Sequence, residues 1–252
     1  MIRTRIFICA ILATVCICLT NVQADPIPPD PLDLTSLGAD GFINGAYFLQ
    51  IDHSSTGTGV IDSFVRLQAN GTERGYNTDG TREYDEKGGG FTRSLLLGEV
   101  PIVNIGGIDY REFLLDINQD KSANPSLLSL DTIKIYLSPT GSPTVPAYPG
   151  GLGTLIYDMD GPFDQWIKLD YALNSGSGAG DMFAYIPDSL FIGPYQNVIL
   201  YSEFGGQGGI YETNAGFEEW AVQKATPIPT PTAVLLGMLG LSVMGVKLRK
   251  YA

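Results

Sequence analysis

Apolar and polar residues alternate at every second position in many short stretches between about residues 41 and 222. The clearest stretch is 166–173, in which Ile167 and Leu169 alternate with Lys168 and Asp170. A period of two is typical of a strand that buries one of its faces. The same pattern predicts further strands at 46–51, 60–68, 92–97, 111–117, 132–137, 182–186, 198–204 and 217–222.

Glycine-rich turns separate these stretches. Asn-Gly at 70–71 and Gly-Gly at 106–107 lie between predicted strands and suit tight hairpins, because both residue types tolerate a positive φ. No helix of normal length is predicted, and residues 126–130 are the candidate for a short one. Many short strands at this spacing predict an all-β domain at 33–223, folded as an antiparallel β-sandwich or jelly roll.

The N-terminus has the composition of a secretory signal peptide. Two arginines precede an apolar run at 6–19, and Val22 and Ala24 are small residues at the positions that a signal peptidase reads. We therefore predict a signal peptide at 1–24, removed by signal peptidase. The alternative is an uncleaved anchor, although the apolar run is shorter than the ~20 residues that span a bilayer. A proline-rich lead-in at 25–32, without regular secondary structure, precedes the domain.

Cysteine and charge narrow the classes of function. All three cysteines lie in the predicted leader, so the mature chain has no thiolate for a disulfide, a zinc site or a nucleophile. The chain carries 27 acidic and 15 basic residues. Five of the basic residues lie in the two ends, which leaves 10 against 27 in the body and a net charge near −17. Because that charge repels phosphate, nucleic acid and anionic lipid are not expected as partners of the domain.

The C-terminus has three consecutive parts: a Pro/Thr spacer at 224–232, an apolar segment at 233–246 and a basic end at 247–252. Prolines make a stiff, protease-accessible spacer, the apolar segment partitions into lipid, and the basic cluster stays in the cytoplasm. The apolar segment is short for a span, and residues 228–232 bring it near the ~20 residues required. The tail therefore predicts anchoring in a membrane.

This tail resembles the PEP-CTERM sorting signal of bacteria that produce exopolysaccharide. Over about the last 28 residues, a proline motif, a glycine-dotted apolar stretch and a basic end follow in the family's order, with isoleucine in place of the motif's glutamate. The resemblance implies an exosortase-like partner, transient anchoring in the inner membrane, and then release to the cell surface or extracellular space. The alternative is a single-pass anchor that is never cut. The sorting residues are Pro227, Ile228, Pro229, Lys247, Arg249 and Lys250.

One stretch of the body has oxygen ligands at alternate positions, namely Asp116, Asn118 and Asp120. Such ligands are found in loops that wrap a calcium ion. The stretch is not an EF-hand, because Lys121 occupies the glycine position and Leu127 replaces the bidentate glutamate. Calcium is therefore a candidate cofactor. The competing interpretation is that Asp and Asn make turns here by bonding their own backbone.

The body of the chain contains no clear catalytic motif. Glu218 and Glu219 are neighbours on a predicted strand and are expected to point to opposite faces. The acidic residues at 83–86 are expected in a solvated loop, a second acidic turn is predicted at 158–164, and His53 is the single histidine. We therefore predict that the protein is not an enzyme.

Together these observations predict an exported cell-surface or extracellular-matrix protein with a structural or adhesive role. One alternative is a carbohydrate-binding module for exopolysaccharide, for which Trp166, Trp220 and the tyrosines supply candidate stacking faces. The other is a surface glycoside hydrolase whose carboxylates converge only in the folded chain. A row of aromatic rings on a sheet would favour the first alternative, and carboxylates clustered in a cleft would favour the second.

Overall fold

The computed structural model describes residues 30–51, 61–119, 126–145, 150–161, 163–174, 180–214 and 216–223. The predicted signal peptide and all three parts of the C-terminal tail lie outside these residues. The same holds for the sorting residues Pro227, Ile228, Pro229, Lys247, Arg249 and Lys250, whose assignment remains a prediction.

Strands dominate the described residues, and the helices among them are three 3-10 turns at Leu97–Glu99, Asp188–Leu190 and Gly209–Tyr211. The predicted all-β class is therefore confirmed. In chain order the described strands are β1 (Leu32–Asp33), β2 (Asp40–Ile43), β3 (Ala46–Gln50), β4 (Ile61–Leu67), β5 (Asn70–Gly71), β6 (Glu73–Tyr76), β7 (Leu95–Leu96), β8 (Ile102–Ile105), β9 (Ile108–Asn118), β10 (Leu127–Ser138), β11 (Thr154–Asp158), β12 (Ile167–Asp170), β13 (Met182–Pro187), β14 (Asn197–Phe204), β15 (Thr213–Asn214) and β16 (Phe217–Gln223).

Most of these strands belong to two seven-stranded sheets. Sheet A has the order β1-β12-β10-β14-β6, with β11 also paired to β10 and β7 to β14. Sheet B has the order β2-β3-β13-β9-β16-β4, with β8 also paired to β9. Strands β5 and β15 pair with each other alone. Neighbouring strands run antiparallel, as predicted, except that β1 is parallel to β12.

Buried side chains from both sheets form one apolar cluster. Trp220 of β16 is fully buried in it and donates its indole N–H to Ser202 Oγ of β14 at 3.0 Å, which links sheet B to sheet A. The Tyr157 hydroxyl of β11 donates to the Ile43 carbonyl of β2 at 3.0 Å and forms a second link. The apolar residues that recur with period two therefore contribute, from both sheets, to a common core.

Several predicted strands differ from the observed ones at their ends. The strand predicted at 92–97 is observed only as β7 (Leu95–Leu96), because the chain enters a 3-10 helix at Leu97. Strand 166–173 ends at Asp170, since the chain turns there and Tyr171 N–H donates to the Ser126 carbonyl at 2.9 Å. The short helix expected at 126–130 is wrong, because β10 begins at Leu127 and pairs with β12 along these residues.

The two predicted hairpins have opposite outcomes. Gly106 and Gly107, with φ of 61° and 89°, connect β8 to β9 as a tight hairpin, which confirms the prediction. The hairpin expected at 70–71 is wrong, because the flanking strands β4 and β6 lie in different sheets. An unpredicted hairpin joins β2 to β3 through Asn44 and Gly45, with φ of 49° and 83°.

The end of the lead-in is ordered differently from the prediction. Leu32 belongs to β1, and its N–H donates to the Trp166 carbonyl at 3.1 Å. The Leu32 side chain packs so closely on Gly41 of β2 that a side chain at residue 41 would collide with it. Strand β1 therefore brings an edge of sheet A against an edge of sheet B, and this junction positions the cleft described next.

Candidate functional site

A cleft of about 350 Å³ opens where β1 and β2 meet. Ligand sites in proteins commonly measure ~300–1,000 Å³, so this volume suits a small ligand or one or two sugar units. The lining residues that bear on its chemistry are two carboxylates, two aromatic rings and an amide: Asp30, Asp33, Phe42, Phe163 and Gln165.

Phe42 and Asp33 give the cleft its chemical character. Phe42 is 67% exposed, which is unusual for a large apolar side chain. Asp33 Oδ1 accepts hydrogen bonds from the Thr35 hydroxyl at 2.6 Å and the Thr35 N–H at 3.1 Å. These bonds, led by the one from the Thr35 side chain, lower the pKa of Asp33 below 3.8, with help from Lys168 at 3.4 Å. The cleft thus joins an aromatic face to a carboxylate that stays ionised.

A row of aromatic rings continues from the cleft along sheet B. The ring centroids of Phe42 and Tyr47 are 4.9 Å apart, and Tyr47 stacks on Tyr185 at 5.8 Å. Tyr185 in turn lies 5.4 Å from Phe183 and 6.4 Å from Tyr110. Exposure falls from 67% at Phe42 to 7% at Tyr185, so Phe42 is the accessible end of the row.

The two tryptophans considered as stacking faces have different roles. Trp220 lies in the core at 0% exposure and is therefore not available to a ligand. Trp166 is half-buried, with its ring 5.1 Å from Tyr211 in an edge arrangement and the Lys168 ammonium 5.8 Å from its centroid. The sequence indicated Trp166, Trp220 and the tyrosines as candidate stacking faces. The exposed ring at the cleft is instead Phe42, and Phe42 lies in a strand that was not predicted.

The predicted calcium ligands lie at the end of β9. Asp116 and Asn118 are strand residues paired with Glu219 and Phe217 of β16, and they do not form a loop, whereas Asp120 lies outside the described residues. Among the described residues no group of three or more His, Cys, Asp or Glu side chains is placed to hold a metal ion. Calcium binding by Asp116, Asn118 and Asp120 therefore remains a prediction.

Next to Asp116, the fold gathers polar groups that the sequence did not indicate. Asp181 is 4% exposed, its N–H donates to the Leu115 carbonyl at 2.7 Å, and its Oδ2 accepts from the Ile117 N–H at 2.7 Å. Burial raises the pKa of Asp181 well above 3.8, and the nearby charges of Asp116 and Asp170 raise it further. Loss of hydration and like charge thus both oppose ionisation of Asp181.

Asn174 lies beside the same segment and is fully buried. Its Nδ2 donates to the Ile51 carbonyl at 2.6 Å and to the Gly180 carbonyl at 3.1 Å. These two bonds fix the amide with its oxygen turned away from both carbonyls. Neither Asn174 Oδ1 nor Asp181 Oδ1 has a hydrogen-bond partner.

Two further carboxyl groups are buried in the fold, one from sheet A and one from sheet B. Glu73 of β6 and Glu218 of β16 are 1% and 0% exposed, and each carboxyl group influences the pKa of the other. Glu218 Oε1 also accepts from Gln119 Nε2 at 3.1 Å, and Glu73 Oε2 accepts from the Ala69 N–H at 2.8 Å. Two carboxyl groups can bond only if one is protonated. Burial, above all, raises the pKa of both groups.

Three further acidic residues, Glu219, Glu86 and Asp158, form ion pairs or hydrogen bonds within the fold. Glu219 points away from Glu218, as predicted, and binds Arg66 Nη2 at 2.6 Å. Residues 83–86 lie between β6 and β7 outside the named strands, as expected of a loop. The expected solvation is wrong for Glu86, which is 6% exposed and accepts from the Tyr76 and Tyr84 N–H groups at 3.0 and 2.8 Å. In the second acidic turn, Asp158 Oδ1 accepts from the Asp160 N–H at 3.0 Å, so the turn interpretation is confirmed there.

No protein-family model, curated protein or solved structure matches this chain. Among the described residues no helix is long and apolar enough to cross a membrane.

Proposed function

We propose that this is an exported cell-surface or extracellular-matrix protein whose β domain adheres to polysaccharide through the cleft between β1 and β2. The observation that carries the proposal is the exposed ring of Phe42 beside the ionised Asp33 in a cleft of about 350 Å³. An aromatic face packs against the apolar face of a sugar, while carboxylate and amide groups accept and donate hydrogen bonds to its hydroxyls.

Export and sorting form the second part of the proposal. We infer that the leader at 1–24 directs the chain out of the cytoplasm and that the PEP-CTERM-like tail holds it briefly in the inner membrane until an exosortase-like enzyme cuts it. We also infer that sheets A and B face each other as a β-sandwich, which the shared apolar cluster and the Trp220–Ser202 bond support.

We infer that the domain binds polysaccharide and does not hydrolyse it. Glycosidases place two carboxyl groups on either side of a bond that substrate brings into a cleft. Glu73 and Glu218 influence each other's pKa but lie in the core at 1% and 0% exposure, where a sugar cannot reach them. The hydrolase alternative therefore gains no support from this pair.

The negative charge of the cleft and of the body indicates which polysaccharides the domain can bind. The cleft contains Asp30 and Asp33, and the body carries a net charge near −17. An acidic polysaccharide would bring its carboxylates against this negative field, whereas neutral sugars and cationic amino sugars would not be repelled. We therefore infer that the ligand is a polysaccharide of neutral or amino sugars.

A sedimentation assay with insoluble polysaccharides tests the binding proposal. The purified protein should bind a neutral glucan or chitosan and should leave alginate, an acidic polymer, unbound. Phe42→Ala should weaken binding by roughly threefold to tenfold, because an aromatic contact contributes ~0.5–1.5 kcal/mol. Tyr195→Ala is the matched control, since it truncates an aromatic side chain that is 37% exposed and lies outside the cleft. Equal affinity of both variants would overturn the cleft assignment, and release of soluble sugar would favour the hydrolase.

Mass spectrometry tests the sorting proposal. Protein released from the cell surface should begin near Asp25 and end within the spacer at 224–232. Recovery only as a membrane-embedded species that retains Lys250 would favour the permanent single-pass anchor.

A further inference from the structure

Four large apolar side chains are exposed at one end of the domain. They are Leu96, Ile102, Ile108 and Ile192, and their exposed fractions run from 49% at Leu96 to 78% at Ile192. A single exposed apolar residue is ordinary in a soluble protein, whereas several at one end of a domain mark a surface that binds a protein or a membrane. None of the four lines the polysaccharide cleft. They therefore indicate a second interaction surface.

Arg111 of β9 holds together the segments that carry these side chains. Its Nη1 donates to the Leu97 and Val100 carbonyls, each at 2.9 Å. Its Nε donates to Asp188 Oδ1 at 2.6 Å. One arginine thus joins the start of β9 to the segment before β8 and to the 3-10 turn after β13.

The exposed apolar residues lie on these joined segments. Ile102 and Ile108 belong to the β8–β9 hairpin, in which Ile102 is paired with Arg111. Leu96 lies in β7, directly before the 3-10 turn whose first carbonyl Arg111 binds. Ile192 follows the 3-10 turn whose first residue binds Arg111. We call this region of the domain, defined by Leu96, Ile102, Ile108 and Ile192, the apolar end.

The last described strand runs toward the apolar end. Strand β16 is antiparallel to β9, with Phe217 opposite Asn118 and Ala221 opposite Leu114. It therefore runs toward the start of β9, where the β8–β9 hairpin lies. The chain leaves the domain there after Gln223.

Side-chain contacts connect this exit to the apolar end. Val222 of β16 is paired with Asp62 of β4. The Arg93 guanidinium lies 3.4 Å from Asp62 Oδ2 and 2.9 Å from Glu99 Oε1. Glu99 Oε2 in turn accepts from the Leu96 N–H at 2.7 Å. A continuous series of contacts thus leads from the end of β16 to Leu96.

The sequence beyond this exit limits the distance between the apolar end and a membrane. Only the spacer at 224–232 separates β16 from the apolar segment at 233–246, and nine extended residues span at most ~30 Å. That length is about the thickness of the hydrocarbon core of a bilayer. While the segment is anchored, the apolar end therefore stays close to the lipid surface.

We propose that the apolar end rests on the bilayer surface while the tail anchors the protein, with Ile102, Ile108 and Ile192 in the interfacial region. This inference rests on the anchoring proposed above. Apolar side chains are stabilised when they leave water for the boundary between headgroups and acyl chains. The lipid is zwitterionic, because the negative charge of the body and the exposed Asp109 beside Ile108 repel anionic headgroups.

A fluorophore placed on the full-length protein in vesicles tests the contact. All three native cysteines lie in the predicted leader, so replacing them by serine leaves one cysteine in each variant. Ile192→Cys carries an environment-sensitive fluorophore at the apolar end. Ile210→Cys is the matched control, since Ile210 is 52% exposed and follows the opposite end of β14. The vesicles consist of phosphatidylcholine with a small share of lipid that is spin-labelled on its acyl chain.

The spin label should quench the fluorophore at 192 at least about twofold more strongly than at 210, because apolar interfacial residues lie ~5–10 Å into the headgroup boundary. The emission at 192 should also move to shorter wavelength. Adding Ile102→Asp to the Ile192→Cys protein should reduce the quenching, because a carboxylate opposes entry into lipid. Replacing part of the phosphatidylcholine by phosphatidylglycerol should not increase it.

The possible failures are distinguishable. Equal quenching at both positions in protein that floats with the vesicles would overturn this inference and leave the anchoring in place. Protein that does not float with the vesicles would overturn the anchoring and this inference with it. A disulfide-linked dimer of unlabelled Ile192→Cys, without one of Ile210→Cys, would assign the apolar end to a second copy of the chain and overturn the contact with lipid.

Discussion

Replacing Glu218 by glutamine tests whether the buried carboxyl pair shares a proton. In the wild type, Glu73 and Glu218 can bond to each other only while one of them is protonated. A glutamine amide at 218 donates to Glu73 at every pH and has nearly the same shape. The variant therefore keeps the link between β6 and β16 and removes its dependence on one proton.

The direction of the pH effect follows from the pKa shift. Burial first, and then the charge of Glu73, raise the pKa of Glu218 well above its ordinary value of 4.5. A carboxyl group whose pKa is raised in the folded state contributes stability that is fully present below the unfolded-state pKa. That stability is lost as the pH rises through the folded-state pKa. Wild-type stability should therefore fall above pH 4.5.

The magnitude follows from the width of that window. Each pH unit between the unfolded-state and folded-state pKa changes the free energy of unfolding by about 1.4 kcal/mol for one proton. From pH 4.5 to pH 7 the contribution of Glu218 is therefore at most about 3.5 kcal/mol. Asp85 and Lys87 act on Glu73, and Asp181 acts on Glu218, but these charges are the same in both proteins. The difference between wild type and Glu218→Gln isolates the shared proton.

Urea unfolding at several pH values, followed by tryptophan fluorescence in calcium-free buffer, measures this difference. We expect Glu218→Gln to lose less stability than the wild type between pH 4.5 and 7, and to be the more stable protein at pH 7. Glu219→Gln is the matched control, because the neighbouring residue points to the other face and binds Arg66 at 2.6 Å. That variant should be less stable than the wild type at pH 7. An unchanged pH slope in Glu218→Gln would refute the shared proton.

Two further substitutions test the core and one strand junction. Trp220→Phe removes the indole bond to Ser202 and leaves a space in the shared core. Urea unfolding should therefore show a free energy of unfolding that is lower by about 2 kcal/mol. A decrease below about 0.5 kcal/mol would contradict the central role of Trp220 in the core. Gly153→Ala places a methyl group against the Leu137 carbonyl at a φ of 130°, so thermal unfolding should show a Tm lower by several degrees. Gly98→Ala, which meets open space, should leave the Tm nearly unchanged, and equal effects of the two would contradict the packing argument.

The all-β class and most strands could be predicted because one physical rule governs them. Where a strand buries one face, every second residue must be apolar, and this is visible in the sequence. Strand β2, which carries Phe42, has no such alternation, since it lies at the edge of sheet B with Phe42 exposed. Its sequence signal is the Asn44-Gly45 dipeptide, which suits a tight hairpin.

Pairing partners could not be predicted from local pattern. Asn70-Gly71 has the composition of a hairpin, but its flanking strands enter different sheets, and Gly71 instead pairs with Thr213. A dipeptide specifies the backbone angles it permits and contains no information about which strand lies next to it. The clusters around Asp181 and Glu218 depend on such distant pairings, so spacing along the chain did not indicate them.

Several of the acidic side chains are buried in the fold, which the composition does not indicate. The chain has a net charge of −12, and the charged side chains buried among the described residues are all acidic: Glu73, Glu86, Glu112, Asp116, Asp181, Glu218 and Glu219. Each buried carboxylate needs a compensating group. Two backbone N–H groups compensate Glu86, and Arg66 compensates Glu219. For Glu73 and Glu218 we predict that a shared proton has this role.

Asp181 has only part of such compensation. The Ile117 N–H satisfies one of its oxygens, while the charges acting on it, those of Asp116 and Asp170, are both negative. Burial and these like charges raise the pKa of Asp181 well above 3.8, which favours the protonated, neutral form of the group. In that form the carboxyl group needs no counter-charge and gains an O–H that can donate a hydrogen bond.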